Sequence, residues 1–387
     1  MNLKRIYLDN AATTKPHPKV VEKMVHFLES EYGNPSSIHS FGRNVRVAIE
    51  EARELVADFI NAIPSEIYFT SGGSESNNFA MRGITRVVLE ESGKNSIITN
   101  KAEHNAVLDI AADLEKSGFS VNYLNVSDQA QLDPGILESS ISEMTALASV
   151  MFVNNETGSI NKIGRLSEKV KSHDVIFFTD AVQGFGKFPI DVNDMHIDSL
   201  SASGHKIFGP KGAGILFAKS GTPLSPLIFG GSQERNRRAG TENITGIIGL
   251  AEAVKLADKD MDENYKIVSE LNLRFRSGII SFPNNDILIN SPKDASPYIL
   301  SITFNDEYFK NDAEAMLMYL DINGIAASNG AACTSGTLNP SHVIMSMGKS
   351  EAYANGTFRF SFSPDNTIDE IDYTLDILDR MRKKFRK

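Results

Sequence analysis

VIFFTDAVQ, residues 175–183, decides how this chain folds and where its site lies. A short apolar run rich in β-branched and aromatic residues reads as a buried strand. Asp180 stands at its carboxyl end, the edge at which parallel sheets gather their ligands. The same carboxylate is also suited to capping the segment that follows. Outward from this strand, between about residues 18 and 219, helical patterns alternate with short β-rich runs, the signature of a parallel sheet covered by helices. Apolar positions recurring at three and four residues predict helices over 18–31, 43–60 and 75–90, with Pro18 placed where a missing amide costs nothing. Strands are expected over 66–70, 96–99, 148–153, 175–179, 199–201 and 214–218. Beyond a helical connector at 241–275 the pattern changes to strands near 299–304 and 357–362, interleaved with helices at 313–321 and 368–383. The fold class is therefore α/β: a large domain with a mainly parallel sheet, over 15–260, and a smaller α+β domain from 1–14 and 261–387.

Composition removes several function classes. With 39 basic and 49 acidic side chains the net charge is −10, which argues against direct binding of nucleic acid. The basic ending RMRKKFRK, 380–387, closes an amphipathic helix, where cations suit the C-terminal dipole. No apolar run approaches the roughly 20 residues of a membrane span. The start, MNLKRIYLDN, lacks the apolar centre of a signal peptide, so a cytoplasmic location is expected. The single cysteine, Cys333, excludes an internal disulfide framework and a cysteine-rich metal site. The eight histidines show no HExxH spacing, and no metal is expected.

SASGHKIFGPKGAG, 201–214, places Lys206 on a glycine-rich turn between two strands. Gly204 and Gly209 have P-loop spacing, but Pro210 occupies the lysine position and removes an amide, so that reading fails. A Schiff-base lysine fits better. Enzymes of pyridoxal 5'-phosphate pair such a lysine with an aspartate that keeps the pyridinium nitrogen protonated, and Lys206 with Asp180 supplies that couple. TSGGSESN, 70–77, offers Gly73, Ser74 and freed amides at a helix start for the cofactor's phosphate; Ser74 is equally suited to capping that helix. His104 follows strand SIIT at the same layer, where an imidazole can stack on a planar ring or stand solvated.

Together these segments resemble the cysteine desulfurases, the NifS/IscS-like branch of the class V aminotransferases. The likeness rests on YLDNAATT, GNPSS, FTSGGSESNN, EHNAV, VNNETG, DAVQ, SGHKIFGPKG, RAGTEN, ACTSG and RFSF, in that order over nearly the whole chain. It implies the aspartate aminotransferase-like fold of PLP-dependent transferases, pyridoxal 5'-phosphate as cofactor, L-cysteine as substrate and a homodimer. It further implies that Lys206 takes the Schiff base, Asp180 pairs with the ring nitrogen, His104 stacks on the ring and Gln183 contacts its phenolic oxygen. Ser74, Ser203 and His205 would hold the phosphate, and Thr241 would reach the phosphate of the partner subunit. Arg359 would fork onto the substrate carboxylate, with Asn34 and Asn155 orienting the substrate. Cys333 would take the sulfur as a persulfide and pass it to a protein acceptor serving iron–sulfur clusters, tRNA thiolation or DNA sulfur modification. A lone cysteine is also a small buried hydrophobe in many proteins, but SNGAACTSGTLNPSH suits a loop better than a core. The chain departs from the usual pattern at Ser74, where threonine is common, and in SNGAACTSG. The alternative activity is that of a related PLP enzyme, such as a selenocysteine lyase or an aminotransferase, that does not depend on Cys333.

Overall fold

The computed structural model describes residues 5–329 and 339–387, so Cys333 lies outside the described residues. The strands are β1 (Ile6–Tyr7), β2 (Ile67–Thr70), β3 (Ser96–Asn100), β4 (Ser120–Leu124), β5 (Thr145–Ser149), β6 (Ile176–Asp180), β7 (Ser199–Ser203), β8 (Gly214–Ala218), β9 (Ile287–Ile289), β10 (Ile299–Phe304), β11 (Ile325–Ala326) and β12 (Thr357–Ser361). Seven of them form the large sheet in the order β2-β8-β7-β6-β5-β3-β4. The run from β7 to β4 is parallel, and helices on both faces leave β5, β7 and β8 wholly buried. β8 is antiparallel to both neighbours. The cause is the short connection from Ser203 to Gly214: a parallel return needs a crossover of about a dozen residues or more.

Helices Pro18–Glu29, Ser40–Phe59 and Gly73–Ser92 stand where the apolar periodicity places them. The strand expected over 148–153 stands earlier, at Thr145–Ser149, and its continuation stays hydrogen-bonded to β6 through Val150 N to Phe178 O at 3.0 Å and Phe152 N to Asp180 O at 2.9 Å. The 37-residue helix Ile244–Ile280 is about 55 Å long and serves two cores. Ile247, Leu250 and Val254 pack into the core beneath the large sheet. Val268, Leu271, Phe275 and Ile279 enter a second core with β10, β12 and the N-terminal Ile6 and Leu8. That core is built on the antiparallel sheet β12-β10-β9. The helix Ile368–Lys384 closes it, started by a capping box of Thr367 and Glu370. The basic C-terminal run is taken up internally: Arg382 and Arg386 converge on the buried Asp286 at 3.1 and 3.0 Å, and Arg380 pairs with Asp376 at 2.6 Å.

Candidate active site

Lys206 ends the single 3-10 turn Gly204–Lys206 that follows β7. The turn is tight: Ile207 N and Gly209 N both donate to Gly204 O, at 3.0 and 2.9 Å, and a Cβ at Gly209 would meet that oxygen at 2.8 Å. Phe208 takes the left-handed conformation, φ 63°, which a bulky residue holds only when its surroundings fix it. The N-terminal segment does so. Phe208 N donates to Thr14 Oγ1 at 2.7 Å, His17 N donates to Phe208 O at 2.8 Å, and Thr14 N donates to His205 O at 2.9 Å. The Lys206 amine donates to Ala11 O at 2.6 Å and to Ala12 O at 2.7 Å. Burial and the Arg359 cation push its pKa down to about 8, against the opposing pull of Asp9 and Asp180. A lysine so depressed offers a neutral amine near physiological pH, which attack on an aldehyde requires.

Asp180 lies on the neighbouring strand, paired in register with Ser201. It is buried, and its carboxylate is fixed by two donors: Asn77 Nδ2 at 2.8 Å and Val182 N at 3.0 Å. Capping the turn after β6 and facing the site are therefore compatible roles for this residue. Gln183, one turn further, is also buried and donates through Nε2 to Ala11 O at 2.8 Å, the carbonyl that Lys206 uses. His104 follows β3 and caps the helix Asn105–Lys116, its Nδ1 accepting from Ala106 N at 3.0 Å. The imidazole opens to solvent, within electrostatic reach of Asp180, Lys206, His342 and Arg359. Crowding by the surrounding protein holds its pKa below the usual histidine value, Asp180 opposing and Lys206, His342 and Arg359 reinforcing.

Of the residues expected to hold a phosphate, Gly73, Ser74 and Ser203 lie around Gly72. The N-cap of the helix Gly73–Ser92 is Gly72, with φ 145°, so Ser74 is not the capping residue; it sits inside the first turn with its side chain exposed. Ser203, buried at the end of β7, faces Gly72 closely enough that a Cβ there would stand 3.4 Å from Ser203 Oγ. His205 contacts Thr13 Oγ1 at 3.2 Å, and burial together with Lys206, Lys211 and Lys187 pushes its pKa down to about 4.

Arg359 comes from β12 of the second sheet and ties the two cores together at the site. Its Nη1 donates to Asn155 O and its Nη2 to Asp9 Oδ1, both at 2.9 Å. Its Nε and Asn155 Oδ1 are buried without partners among the described residues, as is Asn77 Oδ1 beside Asp180. Unsatisfied groups of this kind are costly unless a ligand completes them. Two predicted residues stand apart. Asn34 is exposed and accepts from Ser36 N at 2.8 Å, and Thr241 is exposed ahead of the helix Ile244–Ile280; neither touches the Lys206 cluster among the described residues.

Sequence reasoning passed over Asp9, Asn77, Glu103 and Glu156, although all four lie inside quoted motifs. Glu103 is fully buried and accepts from Met151 N at 2.7 Å; burial, with Asp180 adding to it, raises its pKa well above the ordinary carboxylate range. Ser341 donates to the buried Glu156 carboxylate, and His342 Nε2 meets Glu103 O at 2.8 Å. Residues 341–342 are thus fastened to Glu156 and Glu103.

A lysine and an aspartate on adjacent strand ends, a glycine-started helix and a converging arginine define a class of protein, and the family model for class-V aminotransferases matches residues 6–374. The chain belongs to that family, whose members depend on pyridoxal phosphate. Within it, the chain is 44% identical over 383 residues to a protein of Dictyoglomus turgidum named cysteine desulfurase IscS, covering 99% of this chain and 96% of the relative. Among solved structures it is similar to a NifS-like protein, with a TM-score of 0.89 at 35% identity, over 98% of this chain and 99% of that one. It is also similar to SspA in complex with cysteine, with a TM-score of 0.82 at 35% identity, over 94% and 100% of the two chains. No helix among the described residues is long and apolar enough to cross a membrane.

Proposed function

We propose that this chain is a pyridoxal-phosphate-dependent cysteine desulfurase that converts L-cysteine to L-alanine and takes the sulfur onto Cys333. The observation that carries the reading is the pairing of a half-buried amine of depressed pKa, Lys206, with a carboxylate fixed by two donors, Asp180, on neighbouring strand ends. The names of the relatives at full coverage support cysteine over other amino-acid substrates, and the lone thiol supports persulfide formation over simple transamination.

The residues present fit the cofactor. Lys206 would link it, Asp180 would keep its ring nitrogen protonated, His104 would cover its face and Gln183 would donate to its phenolic oxygen. Ser203, His205, Ser74 and the amides around Gly73 would hold its phosphate. Bound there, pyridoxal phosphate supplies a sink for the electron pair released at the substrate's Cα. The protein's own work is positioning and proton transfer. Arg359 holds the substrate carboxylate with Asn155 beside it, and the neutral Lys206 amine moves the Cα proton. The Cys333 thiolate supplies the electron pair for a new S–S bond as the substrate's C–S bond breaks, the freed carbon takes a proton, and the products are alanine and a persulfide on Cys333. A protein acceptor then removes that sulfur.

The active form in this reading is a cytoplasmic homodimer. Tyr32, Ile38, Phe41 and Phe229 expose large apolar surface, and Asn34 and Thr241 are left outside the chain's own cluster, as residues serving a shared site would be. The test is direct. Purified protein with pyridoxal phosphate and L-cysteine should release alanine in step with sulfide under reductant. Lys206→Ala should lose the yellow cofactor band, and Cys333→Ala should keep the band but not the turnover. Undiminished cysteine turnover by Cys333→Ala would favour a related enzyme that does not use the thiol.

A further inference from the structure

Lys187 is only 7% exposed and pairs with no carboxylate among the described residues. Its Nζ lies 3.1 Å from Gln183 Oε1, four residues back along the chain, and 5.3 Å from the centre of the Tyr298 ring. The charged groups that act on it are Lys206 and Arg359, both cations, while Asp260 of the long helix lines the same cavity. Burial, reinforced by Lys206 and Arg359, brings its pKa down to about 7. A lysine in such a place destabilises the fold, whereas an apolar side chain of equal length would fill the space without burying a charge.

Gln183 shows what the amine does. The two ends of a glutamine amide are nearly the same size, so packing alone does not decide which one faces a ligand. Here Oε1 accepts from Lys187 while Nε2 donates to Ala11 O at 2.8 Å, the carbonyl that also receives Lys206 at 2.6 Å, so the lysine and the carbonyl hold the amide in one orientation together. The close approach is built into the backbone: Gly186 takes φ 71°, and a Cβ there would meet Ile207 Cγ2, beside Lys206, at 2.6 Å.

We propose that Lys187 is a positioning residue that holds the Gln183 carbonyl oxygen, so that the amide presents an N–H, and never an oxygen, to the phenolic oxygen of the cofactor. The proposal rests on the placement of Gln183 against that oxygen. A flipped amide would set oxygen against oxygen, and a loose one would present no fixed donor. The positive form of Lys187 adds to this by polarising the amide and by placing a cation near the ring.

The test is a pH titration of the visible absorption band of the lysine-bound cofactor in the holoenzyme. A donor to the phenolic oxygen and a nearby cation both disfavour protonation of that chromophore. Lys187→Met removes both, and the apparent pKa of the band should rise by about half to one unit. Lys187→Gln, which can still donate but carries no charge, should show a smaller rise, and Lys187→Arg should return the value toward that of the unaltered enzyme. An unshifted titration in folded Lys187→Met overturns the proposal. Should that variant not fold, Lys187→Ala, which cannot donate, is set against Lys187→Arg, which can, and equal values in the two overturn it. The underlying reading fails differently: there the unaltered protein shows no band that Lys206→Ala abolishes, whatever occupies position 187.

Discussion

Replacing Arg359 by lysine keeps the charge and removes the fork, which makes it the sharpest test of how the substrate is held. The guanidinium commits Nη1 to Asn155 O and Nη2 to Asp9, each at 2.9 Å, and keeps Nε buried without a partner among the described residues. Its plane can serve these two protein acceptors while an incoming carboxylate completes the remaining donors. An ammonium has three donors on one atom and cannot meet Asp9, Asn155 and two carboxylate oxygens together. At least one charge-assisted hydrogen bond to the substrate is lost, worth about 1.5–3 kcal/mol, or roughly 10- to 150-fold in kcat/KM. The assay is alanine formation against cysteine concentration, with cofactor content measured alongside. The loss should be largely in KM, with the cofactor band unchanged, because in the proposed arrangement Arg359 meets the substrate and not the cofactor. An Arg359→Lys enzyme with unaltered kcat/KM would refute the reasoning, and one that failed to bind cofactor would relocate the arginine's role.

Other expectations follow from individual contacts. Glu234→Gln should destabilise the fold by about 1.5–3 kcal/mol in chemical denaturation, because it discharges the buried partner that holds Arg53 at 2.7 and 2.8 Å and leaves it only the more exposed Glu50 at 3.2 Å. The apoprotein should lose stability as pH falls from about 6.5 toward 4, since folded His205 stays neutral to about 4 whereas the unfolded imidazole takes its proton near 6.5. The stability is present above the higher value and lost through the lower one; His205→Asn should flatten this part of a thermal-melt profile against pH, and an unchanged slope would remove His205 as its source. Asn77→Ala should weaken cofactor retention on dialysis without unfolding the protein, as Asp180 would lose one of its two donors.

Much of the fold was legible because burial on both faces writes a strand as an unbroken apolar run, and β6 and β8 are of that kind. β4 was not legible: as an edge strand it alternates exposed and half-buried positions, and SVNYL has no apolar run to announce it. β1 and β11 have two residues each, too few for any period, and exist only because they pair with each other. The reversal of β8 was implicit in the brevity of its connection, a cue that alternation alone conceals. In the site, residues with an obvious chemical signature, such as Lys206 and Asp180, stood out. Ser74 has the chemistry of a cap, but a glycine with unusual φ does that work without a side chain to reveal it. Asn77 and Lys187 act through another residue's orientation, and nothing in their local sequence distinguishes them from ordinary helix and turn positions.

The pairing of Arg359 with Asp9 spans nearly the whole chain, as does the bridge between Asp9 and Ser361. A nascent polypeptide therefore emerges from the ribosome with its lysine long before the arginine that completes the pocket, and the stretch at 9–12 must wait for its distant partner. The finished pocket needs the chain through residue 361, and truncation even a little before that residue should cost the site at both ends at once.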